Sequence, residues 1–261
     1  VLCLVIALMM LMPSMPSSLI FASEPTASDI VLSKTANNTA DNIYDVQLSV
    51  KGADIDTSKK VDVILVIDSS GSMYNTWAGG KTLAQISKEA ANSFIDGVLT
   101  TANNSSGNVR VAVVRYGSQA NARIYTDAGS WSNNWSSSLT LTGSEVYTSN
   151  IDNAKSAITS ATNSNQGGTN TEGGFLMAQK VAGVKRSVAE SVVIFMTDGM
   201  PTFRYTDNYG NTTTDSSGSD TSKAELNEAI EAAQALKNNL GATGKVYTVS
   251  LLSAVTSTSN Q

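Results

Sequence analysis

V-D-V-I-L-V-I-D-S-S-G-S, Val61–Ser72, is the stretch that decides how this chain folds. From Val61 to Ile67 it is apolar and mostly β-branched, broken only by Asp62, and it then passes abruptly into Asp68, Ser69, Ser70, Gly71 and Ser72. A short apolar run closed by turn residues reads as a buried strand of a parallel sheet. Asp68, Ser70 and Ser72 put hard oxygen side chains at alternate positions just past its end. In open α/β sheets that edge is where ligands sit. The expectation is a strand-end metal site whose remaining ligands come from elsewhere in the chain.

Working outward, Thr82–Leu99 carries Leu83, Ile86, Ala90, Phe94, Ile95 and Val98 at helical spacing, an amphipathic helix. Val109–Tyr116 is the next strand and Ala122–Tyr125 starts another. Asn150 is placed to cap a helix through Ala161. Gln166–Gly174 reads as a glycine-rich loop running into a helix over about Phe175–Val184. Ser191–Met196 is a second apolar strand, ending in Thr197-Asp198-Gly199. Arg204–Ser222 is polar and without periodicity. Ser222 and Glu225 have capping-box spacing, opening a helix with Leu226, Ala229, Ile230, Ala233 and Leu236 inward and Gly241 at its C-terminal cap. Lys245–Leu252 is the last strand. Strand and helix alternate, so the fold class is α/β: a doubly wound, mostly parallel sheet with helices on both faces.

Before Val61 the character changes. Val1–Met12 is apolar but too short to span a bilayer, and small and proline-bearing sequence leads to Ala22-Ser23-Glu24. Residues 1–23 resemble a secretory signal peptide that is incomplete at its N-terminus, leaving no membrane span in the mature fragment. Residues 24–60 form a β-rich segment, with strands at Asp29–Ser33 and Ile43–Val50 flanking a polar stretch. Residues 61–261 are then the α/β domain.

Composition removes most chemistry. The chain has no histidine, which excludes Ser-His-Asp and Cys-His nucleophiles and His-ligated zinc. Its one cysteine, Cys3, lies in the leader, so neither disulfides nor thiolate metal sites are available. A net charge of −5 argues against nucleic-acid binding. Asn75–Thr82 nearly matches a phosphate-binding P-loop, but Asn75 stands where the first glycine is required, so no nucleotide is expected.

What remains is oxygen. Asp68, Ser70 and Ser72 follow the first strand, Asp198 follows Ser191–Met196, and Thr169 lies in the glycine-rich loop. In a parallel sheet these fall on one edge. Hydroxyl and carboxylate ligands suit a hard cation, Mg²⁺ or Mn²⁺.

D-S-S-G-S at 68–72, G-G-T at 167–169 and T-D-G at 197–199 resemble the metal-ion-dependent adhesion site (MIDAS) of von Willebrand factor A (vWA) domains, shared with integrin I domains. The resemblance covers roughly Val61 to Leu252. It implies that Ser70, Ser72 and Thr169 ligate the ion directly while Asp68 and Asp198 hold it through waters. The ion then keeps much of its charge, and an open position accepts a carboxylate from a protein partner. It further implies one more helix and an edge strand after Gln261. S-K-T-A at 33–36 and Y-D-V-Q-L-S-V at 44–50 are similar to what precedes such domains in surface and pilus-tip proteins of Gram-positive bacteria. Lys34 is the candidate for an isopeptide bond there, with a solvated lysine the plainer reading.

The expected function is a secreted or cell-surface adhesion module, not an enzyme. Two alternatives stay open: metal-assisted hydrolysis with Glu172 as the spare carboxylate, and a scaffold subunit of a chelatase-like ATPase assembly. Trp131 and Trp135 are either an aromatic binding surface or packing under a loop. Asn134 and Asn211 head glycosylation sequons.

Overall fold

The computed structural model describes residues 30–40, 43–52, 59–76, 80–101, 104–125, 135–137, 142–205, 214–215, 218 and 220–251. The leader with Cys3, Trp131, Asn134, Asn211 and the last residues lie outside these, as do the side chains of the first two strands, Lys34 included.

The chain divides into two units, residues 1–55 and 56–261. In the first, β1 (Ile30–Ala40) and β2 (Ile43–Gly52) pair antiparallel, Ile30 opposite Gly52 and Asn38 opposite Tyr44. β1 therefore continues through the polar stretch expected to separate two strands. Ladder hydrogen bonds join backbones whatever the side chains, so a polar run can still be strand.

The second unit contains, in chain order, β3 (Lys60–Asp68), a 3₁₀ turn (Gly71–Tyr74), α1 (Leu83–Val98), β4 (Val109–Tyr116), β5 (Ala120–Arg123), β6 (Trp135–Ser136), the one-turn α2 (Gly143–Val146), α3 (Ile151–Thr162), α4 (Thr171–Gly183), β7 (Ala189–Thr197), β8 (Arg204–Tyr205), β9 (Thr214–Asp215), α5 (Lys223–Leu240) and β10 (Lys245–Ser250). A six-stranded sheet runs β10-β7-β3-β4-β5-β6. The first four of these are parallel, and β5 and β6 are antiparallel additions.

β3 is central and buried from Val61 to Asp68. Its alternation divides two cores. Val61, Val63, Leu65 and Ile67 face Ala91 and Ile95 of α1 and Ala154, Ile158 and Ala161 of α3. Ile64 and Val66 face Phe175, Ala178 and Val181 of α4 and Ala232 and Leu236 of α5. The fold is thus the doubly wound α/β sheet that the strand–helix alternation predicts. No described helix is long and apolar enough to cross a membrane.

Three expectations need correcting. α4 begins at Thr171, not Phe175, because the Asn170 side chain accepts from the Gly173 N–H and caps it there. α5 carries its capping box and Gly241 cap, but Leu226 and Ile230 are exposed while Ala229, Ala232, Leu236 and Leu240 are buried. Ala232, Leu236 and Leu240 join the core beside Phe175, Ala178 and Val181 of α4, and that contact sets the rotation of the helix. The polar stretch after Arg204 is not wholly irregular: β8 and β9 pair antiparallel, Arg204 opposite Asp215.

The interruption at Asp62 has a structural reason. Its fully buried carboxylate receives Arg110 Nε at 3.1 Å and Nη2 at 2.8 Å, and Arg186 N at 2.8 Å and Nε at 3.0 Å. Burial alone would raise its pKa; the two arginines outweigh that and hold it below the usual carboxylate value.

Candidate metal centre

β3 and β7 are neighbouring parallel strands, so their C-terminal ends deliver Asp68 and Asp198 to the same sheet edge. Asp68 is fully buried and its position is over-determined. Its Oδ1 accepts from Ser70 N at 2.8 Å, and its Oδ2 accepts from Thr197 Oγ1 at 2.9 Å and Tyr116 Oη at 3.1 Å. The Oγ atoms of Ser70 and Ser72 are 3.1 Å apart, and Ser72 Oγ donates to Asp198 Oδ1 at 3.0 Å. Asp68, Ser70, Ser72 and Asp198 therefore form one continuous run of oxygens.

Thr169 is brought to the same edge by its loop, not by its side chain. Gln166 N donates to Ser69 O at 2.7 Å and Gly71 N to Gly167 O at 2.6 Å, tying the loop to the turn after β3. Thr169 O accepts from Thr202 N and Phe203 N, and Thr169 N donates to Thr202 Oγ1 at 2.8 Å, tying it to the segment after β7. Among the described residues the Thr169 hydroxyl makes no hydrogen bond to the other four.

Two carboxylates sit here without compensation. Burial raises the pKa of Asp68 despite its donors. Asp198 is pushed up to about 6, by burial first and then by the charge of Asp68, against the Ser72 hydroxyl. No lysine or arginine pairs with either among the described residues. Nor do the described residues hold any cluster of three or more His, Cys, Asp or Glu suited to a metal. The donor set is two carboxylates filled out by hydroxyls.

Supporting residues escaped the sequence reading. Thr197 and Tyr116 anchor Asp68, and Tyr116 was findable: it is the residue that parallel register sets beside Asp68 at the end of β4. Gly117 was not. A Cβ there would lie 2.3 Å from Gln166 Cβ and 2.6 Å from Gln166 O, so the absent side chain lets the 166–169 loop close onto β4. Glu172, the spare carboxylate, is buried at the start of α4 and accepts from Tyr205 N at 2.7 Å.

Comparison with known proteins comes to the same fold. A family description for the von Willebrand factor type A domain matches residues 63–200, just over half of the chain. No curated protein matches. The pilus adhesin SpaC of Lactobacillus rhamnosus GG is 20% identical, with a TM-score of 0.53, over 84% of this chain and 28% of its own. A second SpaC structure, in an open conformation, gives 20% identity and a TM-score of 0.51 over 83% and 27%. The vWF domain of the type V pili tip protein Mfa5 from Porphyromonas gingivalis is 23% identical over 59% of this chain and 42% of its own, at a TM-score of 0.42. The chain spans less than half the length of each of these structures.

Proposed function

This chain belongs to the von Willebrand factor type A domain family, and from that premise we propose that it is a secreted or cell-surface adhesion module that docks a protein partner through a divalent cation. The observation that carries the reading is the uncompensated run of oxygens from Asp68 through Ser70 and Ser72 to Asp198. Two carboxylates close enough for one to raise the other's pKa are an unfavourable pair on their own and a favourable one around a cation. Oxygen-only donors suit Mg²⁺ or Mn²⁺. Ser70, Ser72 and Thr169 would hold the ion directly, with Asp68 and Asp198 behind water. An ion so held keeps its charge for an acidic side chain of the partner. SpaC is a pilus adhesin, and the proposal carries adhesion and surface placement over from it.

The test is calorimetric titration of the purified chain with Mg²⁺ and Mn²⁺, repeated with Asp68→Ala and Thr169→Ala. Binding should fall at least tenfold in both variants; equal affinity in all three removes the cation from the proposal. Hydrolysis finds no support at Glu172, whose carboxylate is engaged by the Tyr205 backbone.

A further inference from the structure

Toward the β6 edge of the sheet, β4 and β5 hold an unbalanced positive charge. Arg115 of β4 and Arg123 of β5 converge on Trp135 of β6, their guanidinium carbons 4.3 and 5.6 Å from its ring centroid. The indole is fixed from the helix side, Trp135 Nε1 donating to Ser160 Oγ of α3 at 3.1 Å. Arg123 is 1% exposed and Arg115 half-buried. Arg123 Nε and Nη1, Arg115 Nε and the neighbouring Tyr125 Oη are all buried without a hydrogen-bond partner. Among the described residues no carboxylate pairs with either arginine.

The largest local effects disfavour this arrangement standing alone. Burial lowers the pKa of both guanidiniums, and the charge of Arg123 lowers that of Arg115 further. An aromatic face returns only part of what desolvating a guanidinium costs, and it satisfies no N–H. Arginines buried at Asp62 in this same protein have a carboxylate between them. The second pair lacks its equivalent. Its unpaired groups are donors in fork geometry, which match the paired oxygens of a carboxylate or phosphate.

We propose that Arg115, Arg123 and Trp135 form a binding site for a small oxyanion taken from solution. The half-buried Arg115 is the way in, and Tyr125 Oη is a further donor. None of these residues belongs to the oxygen cluster, and the site needs no cation.

The probe is inorganic phosphate, added to the whole chain at constant ionic strength in chelator, with thermal unfolding and tryptophan fluorescence as readouts. Wild type should show a saturable rise in midpoint and a saturable fluorescence change. Arg115→Met, which keeps the apolar stem at a half-buried position, should weaken the apparent affinity roughly tenfold or more, and Arg123→Met should abolish it. Equal midpoint shifts in wild type and Arg115→Met would overturn the proposal, since phosphate then acts by general exclusion from the surface. So would the absence of any saturable response in wild type.

Discussion

Asp62 shows how much one residue of the central strand can carry. It joins β3 to Arg110 on β4 and to Arg186 ahead of β7, and Arg186 goes on to bond the backbone oxygens of Val61 and Asn108. Removing the carboxylate leaves two largely buried guanidiniums without a counter-charge, so Asp62→Ala should cost about 3–5 kcal/mol in urea unfolding at neutral pH. The pH dependence follows from the direction of the shift. Asp62 has a lower pKa folded than unfolded, so between the two values the unfolded state binds the extra proton. The carboxylate's contribution is full above about pH 4 and is lost as pH falls through the depressed folded value. The stability gap between wild type and Asp62→Asn should therefore be widest near neutrality and close in acid; a gap that widens on acidification would contradict the assignment. In the sequence Asp62 is legible only as a flaw in an apolar run. Its partners are 48 and 124 residues away, and nothing local to the strand names them.

At the level of elements, the sequence is most legible where a local signal and the tertiary contact agree. The capping residues Asn150 and Ser222 start α3 and α5 where their side chains say they should. It is least legible where glycine is present for packing. Gly173 and Gly174 read as loop because glycine disfavours helix, yet they form the first turn of α4. A Cβ on Gly174 would lie 3.0 Å from the Phe195 ring and 3.1 Å from that of Tyr116. Gly117 makes the same point at the site, and it is testable against a control. Gly117→Ala must displace Gln166 and with it the loop that carries Thr169, so it should destabilise the fold by about 1–3 kcal/mol and weaken Mg²⁺ binding by calorimetry. Gly97→Ala, near the exposed end of α1 with nothing within 4 Å of the new methyl, should instead add roughly 0.5 kcal/mol and leave the cation affinity alone. If the two variants behave alike, close loop approach is not what Gly117 provides.

Over the whole molecule, the expected cation ligands come from three places in the chain: positions 68–72, the loop at 169 and the strand end at 198. Their order was readable because each piece sits at a strand end or ahead of a helix; the way the Thr169 loop is held was not, because it depends on backbone bonds to Ser69, Gly71, Thr202 and Phe203. Only the folded sheet assembles these groups, so a cation bound there binds the native state and not the unfolded chain. Linkage then requires Mg²⁺ or Mn²⁺ to raise the unfolding midpoint, with about 2.7 kcal/mol of added stability once the free ion exceeds its dissociation constant a hundredfold. Chelator should remove that increment and no more. Ser72 is the informative position, because its side chain is exposed and its hydroxyl bridges Ser70 to Asp198. Ser72→Ala should unfold near the wild-type midpoint in chelator and lose most of the cation-dependent rise. A rise of equal size in wild type and Ser72→Ala would locate the ion elsewhere, and no rise in wild type would mean that the two carboxylates tolerate each other without one.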